Sequence, residues 1–292
     1  MTITEANRIK SAFYRKSAPT EEDVFIFTEA LNYLIEETKD PHYMMELGGY
    51  YYGEKSFDLA LKYYELAAEH KYAPAYDGLG YIWYYGRTGQ RDYEKAFKYF
   101  SLSRDTGNLQ AAYKVADMYK NGYYVEKNYE KYKEIIEELY PKVEHARHLG
   151  EPLPEIFTRL ARIRTEEGDV DEAIYLYLRA KDFQAQRISY NAFFGDLNIM
   201  MWLIDDLYKL REFDREDFDF YDMYYLLKSP CEITFRRHGK SYTVRVTEEE
   251  GTPAIEFDGK WFRSREDFFG KAVIGSERLT AIYEEFYGFE VE

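Results

Sequence analysis

The sequence predicts a mainly α-helical protein, in which a solenoid of helix pairs is followed by a small α+β module with antiparallel hairpins. Three stretches that begin near residues 44, 76 and 112 carry the same pattern of apolar and small residues. Matched positions lie 36 residues apart, as Ala75 and Ala111 do, and again Gly86 and Gly122. A repeat of this length with helical patterning is typical of a helix-pair solenoid. After Pro230 the apolar residues alternate along the chain, which indicates strands.

Each repeat is patterned as two helices joined by a loop. In the second unit, the first helix carries an apolar stripe at positions i, i+3, i+4 and i+7, formed by Tyr76, Leu79, Gly80 and Trp83. The glycine inside this stripe lets two helices approach closely, at a cost of about 1 kcal/mol in helix propensity. Gly86 ends the helix, and the loop 87–92 leads to a second helix that carries Tyr93, Ala96, Phe97, Tyr99 and Phe100.

The first unit carries the same repeat pattern, although it is one residue short before Gly53. It reads Leu47-Gly48, Tyr51 and Gly53, followed by Ala60, Tyr63-Tyr64 and Ala67-Ala68. This pattern resembles the Sel-one-like repeat, a longer-looped relative of the tetratricopeptide repeat. The resemblance covers residues 43–140, and residues 155–183 are closer to a plain tetratricopeptide unit. The second unit departs from the pattern with Ser103-Arg104 in place of the paired alanines, and the third with Tyr132 in place of an alanine.

The resemblance has implications for both fold and function. It implies that the helix pairs form a right-handed superhelix. It also implies an adaptor that assembles other proteins, and it brings no catalytic residues with it.

The segment before the repeats predicts two helices, over residues 4–18 and 21–39. Thr20 begins a capping box with Asp23, and Pro19 interrupts the chain just before it. These helices are expected to cover the open end of the solenoid. The predicted domains are therefore 1–40 for the capping helices, 41–228 for the solenoid and 229–292 for the small module.

The last sixty residues predict a ββββαα module. Residues 232–235 and 242–246 form a hairpin that turns at His238-Gly239, and residues 254–257 and 260–263 form a second one that turns at Asp258-Gly259. Ser264 with Asp267 caps a short helix, and a final helix carries Leu279, Ile282 and Phe286. A module of this size is near the lower limit for an independent core, so we expect it to dock on the end of the solenoid.

Composition limits the partners and the compartment. The net charge is −15, from 54 acidic and 39 basic residues, which argues against nucleic acid because a phosphate backbone is bound by clustered Lys and Arg. The acidity has two interpretations: it keeps a repeat protein in solution, or it attracts a basic protein or peptide. The chain has one cysteine and shows no secretory signal pattern, which predicts a cytoplasmic protein. Its longest apolar run, 199–204, has six residues, which is too short to span a membrane.

The candidate binding site is a second stripe on the first helix of each pair, at positions i, i+4 and i+7. Tyrosine makes up 32 of the 292 residues, and several tyrosines fall on this stripe beside aspartates. In related repeat proteins the stripe lines the concave face, where tyrosine and aspartate suit a cationic residue of a partner. The alternative is that these tyrosines only pack against neighbouring repeats. The candidate residues are Met45, Tyr52, Asp77, Tyr81, Tyr84, Tyr113, Asp117 and Lys120.

Motifs for catalysis are missing from the sequence. His145 and His148 have a spacing that suits two metal ligands, but a third ligand is lacking and a solvated helix end fits better. The segment with Asp214, Asp217, Asp219 and Asp222 also contains Phe218 and Phe220 and lacks the glycine of a calcium loop, so it indicates an amphipathic or capping segment. Cys231 has no nearby base.

These observations predict a non-catalytic binding scaffold without cofactor or metal. Two alternatives remain, and both depend on the unassigned C-terminal module. In the first, the module is the effector of a regulatory or inhibitory protein and acts through an exposed aromatic patch at Trp261, Phe262 and Phe268. In the second, the module contains the site of an enzyme.

Overall fold

The computed structural model describes residues 1–16, 18–144, 152–191, 195–249 and 252–292. It divides into two compact units, Met1–Ile135 and Ile136–Glu292, which are described separately below. The predicted fold class is confirmed: helices in pairs are followed by an antiparallel sheet near the C-terminus. The predicted domain limits at 40 and 228 stay a prediction. Across the described residues, no helix combines the length and the apolar character needed to cross a bilayer.

Unit 1 consists of consecutive antiparallel helices joined by short loops. Its helices are α1 Ile3–Phe13, α2 Glu21–Thr38, α3 Pro41–Gly53, α4 Phe57–Glu69, α5 Ala73–Tyr85, α6 Tyr93–Arg104, α7 Leu109–Asn121 and the start of α8 Tyr129–Val143. Side-chain caps begin α3, α6 and α7, where Asp40, Asp92 and Asn108 accept hydrogen bonds from backbone amides. Gly86 and Gly122 end α5 and α7 in the left-handed conformation, as the repeat pattern predicts.

The N-terminal helices pack on the first repeat. The predicted capping box is present, since the Asp23 amide donates to Thr20 Oγ1 at 3.2 Å and the Thr20 amide donates to Asp23 Oδ2 at 3.0 Å. Helix α1 is shorter than predicted and ends at Phe13, the last of its residues that reaches the core. Phe13 stacks on Phe27 with ring centroids 4.0 Å apart. This pair joins the first repeat in one apolar cluster that also contains Leu47.

Two glycines allow one tyrosine ring to pass between neighbouring helix pairs. The Tyr64 ring of α4 is 4% exposed and lies between Gly48 of α3 and Gly78 of α5. A Cβ atom at either glycine would come within 2.6 Å of that ring. A Cβ atom at Gly80 would likewise come within 2.5 Å of the Phe100 ring. The close approach predicted for Gly80 is therefore present, and Tyr64 is held from both sides.

We expect Gly78→Ala to destabilise the protein by up to about 2 kcal/mol. Overpacking against the held Tyr64 ring costs about 1–3 kcal/mol, whereas replacing a helical glycine returns about 1 kcal/mol. The matched control is Gly49→Ala in α3, where a new Cβ meets nothing closer than the Tyr64 hydroxyl at 4.0 Å. Urea unfolding should show the control at or above wild-type stability. Equal stabilisation by both substitutions would contradict the packing described here.

Unit 2 begins with further helices and continues into the sheet. Its helices are the remainder of α8, α9 Leu153–Glu167, α10 Val170–Asn191, α11 Asp196–Leu210 and α12 Met223–Leu226. Helices α9 and α10 form the fourth pair, and Gly168 ends α9 in the left-handed conformation. Residues 211–222, within the range predicted for the helical solenoid, form loops and turns instead of a helix. Asp219 caps this segment by accepting the amides of Tyr221 and Asp222, and side-chain hydrogen bonds of this kind compete with helix formation.

The C-terminal sheet has five antiparallel strands in the order β4-β3-β2-β1-β7. The strands are β1 Cys231–Arg237, β2 Lys240–Glu249, β3 Thr252–Phe257, β4 Lys260–Phe262 and β7 Tyr287–Val291, with a separate short hairpin of β5 Val273–Ile274 and β6 Glu277–Arg278. Both predicted hairpins are confirmed. At each turn, His238-Gly239 and Asp258-Gly259, both residues have positive φ, as a two-residue hairpin of type I′ requires. Ser264 caps the short helix α13 Arg265–Lys271, also as predicted.

The predicted final helix is wrong. Residues 279–281 and 283–285 form two 3-10 turns, and the chain then pairs with β1 as strand β7. Phe286 and Phe289 lie 4.7 and 5.7 Å from the ring centroid of Phe235 in β1. Both rings therefore contact the sheet core although they are three residues apart, and the β1/β7 pairing contains a register shift. Strand β7 satisfies backbone groups of β1 that would otherwise lie at the sheet edge. The module contains one α-helix and this fifth strand instead of two helices.

The module docks on the last helices of unit 2. Helix α13 contacts α11, and the first 3-10 turn contacts α10. Phe220, in the loop before α12, lies against Phe269 and Phe286 with centroids 5.0 and 5.4 Å away. The Tyr224 hydroxyl donates to Glu266 at 3.0 Å. The expectation that a module of this size docks on the last helices of the chain is therefore confirmed.

Candidate functional site

The predicted stripe lies on three helices that follow one another in unit 1. Helix α3 carries Met45 and Tyr52, α5 carries Asp77, Tyr81 and Tyr84, and α7 carries Tyr113, Asp117 and Lys120. These are the first helices of consecutive pairs, and α5 contacts both α3 and α7. We call these eight residues the tyrosine stripe.

Asp77 is the polar centre of the stripe. Its Oδ1 atom is closed to solvent and accepts no hydrogen bond from any described residue. Burial raises the pKa of this carboxyl to about 6, against an opposing effect of the positive charge of Lys114. The negative charge of Asp77 in turn adds to burial in raising the pKa of Tyr52, Tyr64 and Tyr81. A desolvated carboxylate with an unused acceptor therefore lies among tyrosines.

Tyr81 and Tyr113 join α5 to α7. Their hydroxyl oxygens are 3.2 Å apart, and Tyr113 is 3% exposed. The Tyr81 ring stacks on Tyr85 with centroids 6.0 Å apart and meets the edge of Phe100 at 5.3 Å. Burial is the main cause that raises the pKa of Tyr81. Both tyrosines thus pack between repeats as well as contributing hydroxyls.

Lys114 is a member of this cluster that sequence reasoning missed. It is 6% exposed, and its Nζ atom donates to the Tyr85 hydroxyl at 2.8 Å. The same atom lies 5.0 to 5.4 Å from the ring centroids of Tyr81, Tyr84, Tyr85 and Tyr113. A desolvated ammonium among aromatic faces is held by cation–π attraction. The available signal was its position 36 residues after Gly78, since a lysine where the preceding repeat has a buried glycine indicates a specific contact.

Arg87, in the loop after α5, was also missed. Its Nε donates to the Tyr52 hydroxyl at 3.2 Å. Its guanidinium carbon lies 4.8 Å from the ring centroid of Tyr85 and 5.3 Å from that of Phe57. The helical period that predicts the stripe does not extend into the loop 87–92, so it gives no signal for Arg87.

The remaining stripe residues have other neighbours. Met45 is half-buried and packs on the apolar clusters of the first two repeats. Lys120 lies over the ring of Tyr132 in α8, 4.8 Å from its centroid. Tyr84 meets the ring of Tyr123 in addition to Tyr85. The structure therefore brings Tyr52, Asp77, Tyr81, Tyr84 and Tyr113 together, with Met45 and Lys120 at the margins and Asp117 on the next turn of α7.

A second polar cluster lies in unit 2. Lys181 of α10 is 6% exposed, and its Nζ lies 2.7 Å from Asp222 Oδ2 and 2.8 Å from Asp219 Oδ2. The sequence predicted an amphipathic or capping segment at these aspartates, and Asp219 does act as a cap. It gave no sign of Lys181, which lies 38 residues before Asp219. No motif connects the two segments. This cluster fastens the loop 211–222 to α10.

The chemical motifs considered from the sequence gain no support here. His145 and His148 lie outside the described residues. Burial raises the pKa of Cys231, and its thiol donates to the Leu226 carbonyl. Within the described ranges, no three His, Cys, Asp or Glu side chains are arranged to hold a metal ion. Of the aromatic patch expected on the module, Trp261 is 59% exposed, but Phe262 and Phe268 belong to the core.

Comparison with known proteins identifies the repeats. The family model of the Sel1 repeat matches four segments, residues 41–72, 73–108, 109–131 and 165–182. The chain is similar to the crystal structure of a Sel1 repeat protein from Oxalobacter formigenes, with 20% sequence identity and a TM-score of 0.50 over 78% of this chain and 82% of that one. It is also similar to a protective antigen present in uropathogenic Escherichia coli strains that displays an SLR fold, with 16% identity and a TM-score of 0.45 over 72% of this chain and 50% of that one. A search of curated proteins gave no match.

This chain carries Sel1 repeats in those four segments, which confirms the resemblance seen in the sequence. The likeness to the Oxalobacter formigenes protein shows a shared fold.

Proposed function

We propose that this chain is a non-catalytic scaffold that binds a protein or peptide along the tyrosine stripe. Sel1 repeats generally mediate protein–protein interaction. The single observation that carries the proposal is Asp77, whose buried carboxylate oxygen accepts no hydrogen bond from a described residue. An unsatisfied buried acceptor costs about 1–3 kcal/mol. Residues that lower the stability of a protein in this way are found most often at functional sites, where they take part in binding.

The surroundings of Asp77 suit a basic side chain of the partner. Lys114 and Arg87 already lie against tyrosine rings at this surface, so its chemistry favours cations. Asp77 adds a carboxylate in a poorly solvated position, where a charge-assisted hydrogen bond is stronger than in water. The net charge of −15 attracts a basic partner from a distance. We therefore propose a protein or peptide that brings Arg or Lys to the tyrosine rings around Asp77, where the charge of this carboxylate attracts it.

The half-buried tyrosines at the edge of the stripe provide the apolar part of the contact. Tyr85 is 39% exposed and Tyr52 is partly exposed. Tyrosine rings at an interface combine apolar area with a hydroxyl and lose little conformational entropy on binding. Tyr81 and Tyr113 would then act mainly by holding Lys114 and the exposed rings in position.

The test uses a substitution that keeps the shape of the site. Asp77→Asn removes the charge, and Asp58→Asn is the matched control because Asp58 is an exposed aspartate on α4. Wild type and both variants serve as bait for affinity capture from lysate, and the affinity for each purified partner is then measured by calorimetry. We expect Asp58→Asn to keep the partner and Asp77→Asn to bind at least about tenfold more weakly.

The outcome decides between this proposal and its alternatives. Wild-type affinity in Asp77→Asn would show that the partner does not use the stripe. A further bait, Trp261→Ser, tests the effector role of the C-terminal module, which is favoured by the 59% exposure of Trp261. Loss of the partner in that variant alone would transfer the binding function to the module.

A further inference from the structure

Helix α2 has an outward face that its own packing does not explain. Its inner face buries Phe27, Ala30, Leu31 and Leu34. On the other side, Phe25 is 65% exposed and Ile26 is 39% exposed. Because the helix has 3.6 residues per turn, Phe25 and Ile26 lie on a different side of the helix from the buried residues. Two large apolar side chains thus project away from the core one turn after the start of the helix.

Three glutamates line the same face. Glu22, Glu29 and Glu36 follow one another at intervals of seven residues, are exposed, and take part in none of the ion pairs found among the described residues. Seven residues are close to two helical turns, so these carboxylates form a row about 21 Å long along the helix axis. Near the start of the helix, the ammonium of Lys16 is paired with Asp23. We call Glu22, Phe25, Ile26, Glu29 and Glu36 the α2 face.

We propose that the α2 face is a docking surface for a basic amphipathic helix of a partner protein. A helix that lies nearly parallel to α2 has the same rise per residue, so Lys or Arg at seven-residue intervals matches the glutamate row. Its apolar residues would cover Phe25 and Ile26, whose exposure to water is unfavourable. This surface lies on α2, apart from the helices that carry the tyrosine stripe.

Charge complementarity favours this occupant over a second copy of the chain. Two copies that met through this face would bring glutamate rows together, and each chain carries a net charge of −15. Like charges placed opposite each other oppose association. A basic helix meets the same row with attraction and gains the burial of the apolar pair.

The test uses a defined probe. A fluorescent peptide of about three heptads carries leucine along one stripe with lysines beside it, and a second peptide carries glutamate in place of lysine. Their affinities for the full chain are measured by fluorescence anisotropy at low and at physiological salt, because surface attraction weakens with ionic strength. We expect the lysine peptide to bind and the glutamate peptide not to bind.

The variants separate this face from the overall charge. Phe25→Ser with Ile26→Ser leaves the net charge unchanged, and we expect it to weaken binding of the lysine peptide at least about tenfold. Leu102→Ser is the matched control, since Leu102 in α6 is also 39% exposed, and should bind as wild type does. Reversal of Glu22, Glu29 and Glu36 to lysine should abolish binding of the lysine peptide and create binding of the glutamate peptide. Thermal unfolding followed by circular dichroism checks that each variant is folded.

Three results would overturn the proposal. The first is failure of the wild type to bind the lysine peptide. The second is equal affinity of the wild type and the Phe25→Ser/Ile26→Ser variant, which would assign binding to overall charge. The third is a wild-type dimer in sedimentation velocity that the double serine variant abolishes, which would assign the face to a second copy of the chain.

Discussion

Replacing Lys181 by methionine is expected to lower the free energy of unfolding by about 3–5 kcal/mol, because it leaves the buried carboxylate of Asp222 without its counter-ion. Asp222 is 3% exposed, and Asp219 lies on the same ammonium. Burial alone would lower the pKa of Lys181, but the charges of Asp219 and Asp222 raise it above its ordinary value. The lysine is therefore charged in the folded protein, and its removal cannot be compensated by solvent.

Urea unfolding of the full chain at neutral pH measures this effect. The matched control is Lys209→Met, because Lys209 pairs with Asp206 but is 71% exposed, and such surface pairs contribute about 0–1 kcal/mol. Adding Asp222→Asn to Lys181→Met should recover part of the loss, since the buried charge is then removed as well. Similar losses in Lys181→Met and Lys209→Met would contradict the role of burial.

The second large effect is expected from Asp77→Asn, which should stabilise the protein at alkaline pH while it weakens binding. Burial raises the pKa of Asp77 from 3.8 to about 6. The folded protein thus binds this proton more tightly than the unfolded chain does. The stability that protonated Asp77 contributes is complete below pH 3.8 and is lost as the pH rises through about 6. At pH 8 the charged carboxylate therefore costs about 3 kcal/mol relative to the neutral form.

Comparison of wild type and variant at two pH values isolates this contribution. Unfolding is measured at about pH 4 and about pH 8, on either side of the sequence pI near 5.0, because every other titrating group is shared by the two proteins. We expect Asp77→Asn to be more stable than wild type by about 1–3 kcal/mol at the higher pH and nearly equal to it at the lower. The same difference at both pH values would contradict the raised pKa.

If Asp77→Asn is both more stable and weaker in binding than wild type, Asp77 is a functional residue that lowers the stability of the fold. A substitution that stabilises the chain and weakens the partner shows a trade-off between stability and function. A substitution that changes stability alone would make Asp77 a packing defect. The binding measurement on the same variant therefore decides the meaning of the unfolding experiment.

The elements that the sequence predicted well are those specified by neighbouring residues. Each of these elements depends on residues within a few positions of one another. They are the caps at Thr20 and Ser264, the ends of α5 and α7 at Gly86 and Gly122, and the turn at Asp258-Gly259. Capping and turn formation are local events with specific residue requirements. Such features can be recognised without knowing the tertiary structure.

The errors occur where a distant segment decides the local structure. Leu279, Ile282 and Phe286 have helical spacing, yet residues 287–291 pair with β1, more than fifty positions earlier in the chain. The open edge of β1 and the ring of Phe235 favour a strand there. Similarly, Lys181 meets Asp219 and Asp222 across a separation that no periodic pattern spans.

The sequence by itself determined that part of this chain carries Sel1 repeats, and it located the helix ends and hairpin turns named above. These properties follow from periodicity and local hydrogen bonding, which operate within each element. Only the tertiary structure decided that Lys114 and Arg87 join the tyrosine stripe and that one oxygen of Asp77 is buried without a partner among the described residues. Burial and pKa depend on the side chains that neighbouring helices bring together, and that arrangement exists only after the helices have packed.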